Sequence, residues 1–193
     1  SSAPKNGAIG IFSDGGAGVE NHGNITLYGN DVIGIAGKNS QKVTNLATIT
    51  VEGQNATGIY GTLNTVIDNQ GTINVSGSDS VGIIAPNGKI INNGTINFTN
   101  GAKMTATDNE YAIPELINAG IIRVNGNFEN TGMKISLKPD LSTLQESTIA
   151  GIDFIMDSGS ISADTLTITD TVKILPDFSQ GTNAKVYKLE NAF

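Results

Sequence analysis

Two carboxylates at matching points of the sequence could perform acid–base chemistry on a sugar chain. Asp31 and Asp79 are 48 positions apart, and Asn55 lies midway between them. If every 24 residues advanced the chain by one layer, these carboxylates would lie about 9.6 Å apart. That distance is at the upper limit for an inverting glycoside hydrolase. Because turns also favour Asp and Asn for backbone reasons, we interpret them as turn residues and keep a glycan lyase or hydrolase as the alternative.

Histidine and metal chemistry have little support in this sequence. His22 is the only histidine, and Leu46 and Gln70 occupy the matching positions of later copies, so we expect a variable surface residue. The segment SDGGAG at residues 13–18 would have to recur to form a calcium-binding repeat, and it occurs once. The chain has no cysteine, which excludes disulfides and thiolate chemistry. We therefore predict that the protein is not an enzyme and uses no catalytic residue, metal or cofactor.

A repeat of about 24 residues organises most of the chain. NHGNITLYGNDVIGIA, NLATITVEGQNATGIY and NQGTINVSGSDSVGII are near copies of one another. An isoleucine recurs at intervals of 24, 24, 23 and 26 residues, at Ile25, Ile49, Ile73, Ile96 and Ile122. A second anchor agrees with this period, because a glycine recurs every 24 residues at Gly10, Gly34, Gly58 and Gly82. Such a period is typical of solenoid architectures.

Each repeat contains three short strands separated by turn residues. Apolar residues alternate with polar ones, as in Ile25 and Leu27 or Ile73 and Val75, which places them on one face of a strand. One repeat cannot bury that face alone, whereas stacked repeats can. The sequence therefore predicts an all-β protein, a right-handed parallel β-helix (β-solenoid) with about 24 residues and three strands per coil. The length divided by this period predicts about eight coils.

An asparagine two residues before the small anchor residue is the most specific detail of the motif. Stacked asparagine amides can each donate to one neighbour and accept from the other, forming a ladder at a corner of the solenoid. In the fourth repeat one residue is lost, so Asn92 and Asn93 compete for this position, and we assign it to Asn93. The predicted structural ladder consists of Asn21, Asn45, Asn69, Asn93 and Asn118.

The repeat is regular over residues 8–127 and degenerate over residues 128–193. We expect a single β-helix fragment over residues 1–193, with a protruding loop or brief helix near residues 138–151. Segments that leave the regular coil are where solenoids usually place recognition, here residues 100–115, residues 138–151 and the shorter loop 37–41. The candidate binding residues lie in the first two of these segments and are Asn100, Lys103, Asp108, Glu110, Tyr111, Lys138 and Asp140.

Charge and composition narrow the class of partner. The formal net charge is -7 and the basic residues do not cluster, so nucleic acid is not expected as a partner. No run of 18 apolar residues predicts a membrane span. The complete absence of cysteine favours a secreted chain, because a chain that crosses the periplasm unfolded gains by having no thiols to cross-link.

The motifs NxGTIxV and SxGI resemble those of the passenger domains of type V autotransporter adhesins of Gram-negative bacteria. NQGTINVSG, NNGTINFTN and NAGIIRVNG are similar to the repeats of large fusobacterial outer-membrane autotransporters. The resemblance implies a cell-surface adhesin that contacts a protein or glycan receptor on host or bacterial cells. It also implies anchoring in the outer membrane by a C-terminal β-barrel that this sequence lacks, so we expect a piece of a longer passenger. An inert stalk spacer and an ice-binding solenoid are further alternatives, the latter because threonine and asparagine line one predicted outer face.

Overall fold

The computed structural model describes residues 5–104, 114–129, 133–169, 171–175 and 186–193. These residues form strands, turns and bends without a helix, so none of them forms a membrane-spanning helix. The strands are, in chain order, β1 (Ile9–Asp14), β2 (Val19–Asn21), β3 (Ile25–Tyr28), β4 (Ile33–Lys38), β5 (Lys42–Asn45), β6 (Thr48–Glu52), β7 (Thr57–Gly61), β8 (Val66–Asn69), β9 (Thr72–Ser76), β10 (Val81–Ile84), β11 (Lys89–Asn92), β12 (Thr95–Thr99), β13 (Glu115–Asn118), β14 (Ile121–Glu129), β15 (Ile135–Leu137), β16 (Pro139–Glu146), β17 (Phe154–Ser158), β18 (Ser160–Thr167), β19 (Val172–Ile174) and β20 (Tyr187–Glu190).

Three parallel sheets form the sides of a β-solenoid. Sheet A has the order β1-β4-β7-β10, sheet B the order β19-β15-β13-β11-β8-β5-β2, and sheet C the order β18-β14-β12-β9-β6-β3. Every third strand therefore pairs with its copy one coil later through the regular region. The predicted all-β, parallel solenoid with about 24 residues per coil is confirmed.

The recurring isoleucines form one internal column, as their spacing predicts. Ile25, Ile49, Ile73, Ile96 and Ile122 are successive register partners in sheet C, and Ile161 follows them. From Ile49 onward each of these side chains is fully buried. The column packs against the inward residues of the other two sheets in one continuous core. Burial of stacked copies thus explains why the sequence repeats.

The turns explain the positions of asparagine, aspartate and glycine. Asp31, Asn55 and Asp79 have φ values of 58°, 55° and 59°, in the left-handed region that these residues tolerate better than most. Gly58 meets a different requirement, close approach between coils. A Cβ atom there would lie 2.5 Å from the carbonyl oxygen of Gly82 and 2.9 Å from Cγ2 of Ile73. The 24-residue glycine anchor is therefore a packing requirement.

The number of complete coils is smaller than predicted. Among the described residues, sheet A contains four strands and ends at β10, so the three-sided solenoid has about four turns rather than eight. A single isolated bridge, between Val81 and Lys103, follows on that side among the described residues. Sheets B and C continue without it, to β19 and β18. Dividing the chain length by the repeat period overestimated the number of coils, because the residues after the regular region also form a separate small sheet.

That other structure is a small sheet formed by β16, β17 and β20. β16 pairs antiparallel with β17, and β17 pairs parallel with β20. The loop or helix predicted near residues 138–151 is wrong over most of its length, because Pro139–Glu146 is strand β16. Its alternation is hard to recognise in the sequence, since the pairing with β17 shifts register between Asp140 and Gln145.

Candidate functional site: the junction cleft

The asparagine ladder is the most regular polar feature of the solenoid. Nδ2 of Asn21 donates to Oδ1 of Asn45 at 2.9 Å, and Asn45 donates to Asn69 at the same distance. Asn69 donates to Asn92, and Asn92 donates to Asn118, both at 2.8 Å. The chain of bonds ends where Nδ2 of Asn118 donates to the backbone oxygen of Ser160. All bonds run in one direction, from each coil to the next.

The fourth member of the ladder is Asn92, and the assignment to Asn93 is wrong. Asn93 is exposed, whereas Asn92 is fully buried in register between Asn69 and Asn118. The missing residue lies before this corner, so the ladder position comes 23 residues after Asn69. The buried side-chain amides already form hydrogen bonds within the protein. For example, Nδ2 of Asn45 also donates to the backbone oxygen of Ala47 at 2.8 Å. A sugar could contact these amides only if neighbouring coils separated at this corner.

The carboxylates that motivated a hydrolase lie on exposed turns of the solenoid. Asp31, Asn55 and Asp79 are all exposed, and Nδ2 of Asn55 donates to Oδ1 of Asp31 at 3.2 Å. Their left-handed backbone accounts for the choice of residue. His22 lies on the surface, with Nε2 at 3.2 Å from Oε2 of Glu20. Among the described residues no group of three or more histidines and acidic residues could hold a metal ion.

The first predicted binding segment is only partly described. Asn100 is exposed, has φ 55°, and donates from Nδ2 to Oγ of Ser76 at 2.8 Å. Lys103 is exposed and forms the isolated bridge to Val81. The predicted binding residues Asp108, Glu110 and Tyr111 lie outside the described residues. For Asn100 and Lys103, the described contacts show a turn and a strand-like segment that continue the solenoid.

The second predicted segment contains a cleft. Lys138 extends the asparagine corner: its backbone N–H donates to the oxygen of Asn118, and its own oxygen accepts from Gly159. Two residues later, Asp140 pairs directly with Asp157 across the antiparallel strands β16 and β17. Directly opposed residues in such a pair project from the same face. The two carboxylates therefore lie side by side.

A surface cleft of about 420 Å³ separates these carboxylates from the solenoid, and we name it the junction cleft. Asn93 to Thr95 and Ala119 to Ile121 form its solenoid wall. The other residues that line the junction cleft are Asp140, Asp157, Ser158, Ser160 and Asn191. Hydroxyls, amides and carboxylates thus face a partly exposed apolar side chain, Ile121.

Short hydrogen bonds hold the two carboxylates in place. Oδ1 of Asp140 accepts from Oγ of Ser142 at 2.6 Å, and from the backbone N–H of Ser142 at 3.0 Å. Oδ1 of Asp157 accepts from Nδ2 of Asn191 at 2.6 Å. Oδ2 of each carboxylate has no described donor, so both oxygens can accept from a ligand. Preorganised acceptors of this kind suit hydroxyl or amide donors.

Sequence reasoning named Asp140 but missed Asp157 and Asn191. Asp157 lies 17 positions after Asp140, and the two meet only because β16 and β17 pair antiparallel. Asn191 has φ 55° and follows the last strand. None of these positions belongs to the 24-residue repeat, so the repeat offered no signal for them.

Comparison with known families finds two matches along the chain. Residues 1–131 match the family model of the BigA third pectate lyase-like domain. The chain belongs to this family. Residues 149–193 match the BigA beta sandwich domain. No curated protein and no solved structure matches the chain.

The two BigA matches meet at the junction cleft. Asn93 to Thr95 and Ala119 to Ile121 fall in the third pectate lyase-like domain, whereas Asp157, Ser158, Ser160 and Asn191 fall in the beta sandwich match. Asp140 lies on the segment between the two matches. The cleft therefore lies where residues of the two matches meet, and β18 and β19 of the second match continue sheets C and B of the solenoid.

Proposed function

We propose that this chain is part of a surface-displayed bacterial adhesin that attaches cells to a protein or glycan receptor. The observation that supports it best is the junction cleft, a preorganised polar recess between the solenoid and the small sheet of β16, β17 and β20. The two BigA matches support an adhesin-like surface protein in general terms. Display by an autotransporter and anchoring in the outer membrane belong to the same proposal, and rest on the repeat motifs.

The solenoid supplies rigidity and the cleft supplies recognition. The first four coils are hydrogen-bonded to one another through all three sheets, sheets B and C continue to β19 and β18, and the asparagine ladder fixes one corner. Hydrogen bonds from Ser142 and Asn191 hold Asp140 and Asp157 in position on β16 and β17, so receptor binding requires little ordering of the site. Free carboxylate oxygens and half-buried hydroxyls match the hydroxyl groups of a sugar, and Ile121 offers an apolar contact.

A glycan hydrolase is the second candidate, because Asp140 and Asp157 do converge on a cleft. Directly paired positions in antiparallel strands have Cα atoms about 4.5–5.5 Å apart, which is compatible with the short carboxylate spacing of retaining enzymes. We favour binding, since each carboxylate accepts from a neutral donor and remains accessible to water. No described contact buries one of them as a general acid requires.

The test has two parts. Labelled protein is added to intact epithelial and bacterial cells, with and without prior treatment of those cells by protease or periodate. Saturable binding lost after one treatment supports the proposal and identifies a protein or a glycan receptor. Saturable binding to no cell type contradicts attachment. Incubation with glycans, followed by assay for new reducing ends, decides the hydrolase candidate, because an adhesin releases none.

A further inference from the structure

One row of side chains on sheet B faces away from the core. Side chains alternate along a strand, and Ile67 and Ile135, which directly precede two members of this row, pack in the core. The row therefore points outward. Its members are successive register partners, one from each strand of the sheet: Glu20, Thr44, Asp68, Ile91, Ile117, Ser136 and Lys173.

In the lower coils the lysines on this face have acidic partners. Nζ of Lys42 lies 2.9 Å from Oδ2 of Asp68, and Nζ of Lys89 lies 3.6 Å from Oε2 of Glu115. Asp68 is buried, and its Oδ2 also accepts from Nε2 of Gln70 at 3.1 Å. This outward row thus accommodates a carboxylate where a lysine and a second donor flank it.

The upper end of the same sheet carries lysines without acidic partners. Ser136 and Lys173 are direct register partners on β15 and β19, and Lys134 precedes Ser136 by two residues on the same strand. Within the part of the chain that the structure describes, neither ammonium group has an ion-pair or hydrogen-bond partner. The whole chain has a net charge of -7, so two neighbouring unpaired cations depart from its general character.

Ser136 lies between these two lysines and is only 3% exposed. Its hydroxyl has no hydrogen-bond partner among the described residues, although buried polar groups nearly always have one. Ser136 also occupies the row position that Asp68 occupies in a lower coil. Donors therefore collect here, at the place where the lower coil supplies a carboxylate of its own.

Lys134, Ser136 and Lys173 line one cavity of about 290 Å³, which we name the lysine cavity. This volume is at the lower end of the range for small-molecule sites, about 300–1,000 Å³. The cavity therefore suits a small ligand better than a segment of a polymer. The other residues that line it are Glu115, Met133, Ile135 and Thr171.

The charges on the wall of the cavity define its ligand. Two ammonium groups and a hydroxyl attract one anionic group, as Lys42 attracts the carboxylate of Asp68. Glu115 adds a carboxylate to the same wall, which repels a second negative group but accepts from neutral hydroxyls. Thr171 adds an exposed hydroxyl. A ligand with one negative charge and several hydroxyls matches this wall.

We propose that the lysine cavity binds a small hydroxylated monocarboxylate, of the class of the sugar acids. The ammonium groups of Lys134 and Lys173 pair with the carboxylate, and Oγ of Ser136 donates to one of its oxygens. The hydroxyls of the ligand bond to Thr171 and Glu115. The lysine cavity and the junction cleft share no lining residue, so this site is independent of the proposed attachment function.

The test is isothermal titration of the whole chain with gluconate at constant ionic strength. Acetate should bind at least fivefold more weakly because it lacks hydroxyls, and citrate and sulfate should bind more weakly because they carry additional negative charge. Lys134→Gln and Lys173→Gln should each weaken gluconate binding at least fivefold. Lys103→Gln, at an exposed lysine outside the cavity, is the matched control and should leave binding unchanged.

A ligand-free experiment tests the same arrangement. Ser136→Asp places a carboxylate between the two lysines, so it should abolish gluconate binding and give a higher Tm than Ser136→Asn, which has the same size without the charge. A lower Tm in Ser136→Asp than in Ser136→Asn would overturn the proposal. Absence of gluconate binding, equally tight binding of acetate or sulfate, or an equal loss in Lys103→Gln would also overturn it.

Discussion

Nδ2 of Asn45 donates to Oδ1 of Asn69 at 2.9 Å, across 24 residues of sequence and one coil of the solenoid. Both side chains are fully buried, so each amide depends on the other for hydrogen bonding. Five such residues in register connect the coils at one corner. The relationship explains why asparagine recurs there, since no other neutral side chain of similar size both donates and accepts through an amide.

Removing one member of the ladder should destabilise the solenoid strongly. Asn69→Ala leaves the oxygen of Asn92 and the amide of Asn45 without their ladder partner, at a cost of about 2–4 kcal/mol. Chemical unfolding monitored by circular dichroism measures this. Asn93→Ala is the matched control because Asn93 is exposed, and it should change stability by less than about 0.5 kcal/mol. Equal effects of the two substitutions would contradict the assignment of Asn92 to the ladder.

The isoleucine column should tolerate a smaller apolar residue but not a charge. Ile73 is fully buried between Ile49 and Ile96. Ile73→Asp buries a carboxylate without a partner, so the regular coils should fail to fold. Ile73→Val should cost only about 1 kcal/mol. Thermal unfolding checks both, and a cooperative, native-like transition in Ile73→Asp would be incompatible with the packed column.

The glycine anchor should tolerate no side chain. In Gly58→Ala the new Cβ atom would meet the carbonyl oxygen of Gly82 at 2.5 Å, and this backbone contact cannot relax without separating the coils. We expect a loss of about 1–3 kcal/mol, typical of overpacking. At Gly23 no atom lies within 4 Å of the added Cβ, so Gly23→Ala should be nearly neutral. If Gly58→Ala and Gly23→Ala unfold at the same urea concentration, the close approach of Gly58 to the Gly82 carbonyl oxygen is contradicted.

Asp14 should contribute stability that depends on pH. The hydrogen bond from the Asn39 side chain, and secondly the neighbouring Lys38, lower the pKa of the Asp14 carboxyl below its usual 3.8. Because the folded pKa is lower than the unfolded one, this contribution is complete above about pH 3.8 and is lost as the pH falls through the folded value. The difference in Tm between the wild type and Asp14→Asn should therefore shrink on acidification below that pH. NMR titration of the Asp14 carboxyl provides the direct measurement, and a midpoint at or above 3.8 would refute it.

The position of a residue in this fold can be predicted from the sequence when equivalent residues recur in neighbouring coils. Ile73 and Gly58 each recur at equivalent positions in neighbouring coils, so one pattern predicts the whole column. A single missing residue was enough to shift the ladder from Asn93 to Asn92, since adjacent asparagines give the same local pattern. The number of turns was overestimated because sheet A ends at β10 while the chain goes on.

The residues that line the junction cleft could not be predicted from the sequence for a different reason. Asp140 was named because it follows the regular coils, but its neighbour Asp157 is set by antiparallel pairing with an irregular register. Asn191 reaches Asp157 across 34 residues. Contacts of this kind depend on tertiary packing and leave no period in the sequence.

The most direct test of the adhesin proposal is a cell-binding titration with the junction cleft altered. The double variant Asp140→Asn and Asp157→Asn keeps the size of both side chains but replaces their charged acceptor oxygens. Asp164→Asn, at an exposed carboxylate on β18 outside the cleft, serves as the control. We predict that the double variant folds normally and binds receptor-bearing cells at least tenfold more weakly, while the control binds like the wild type. Unchanged binding by the double variant would show that attachment does not use the junction cleft.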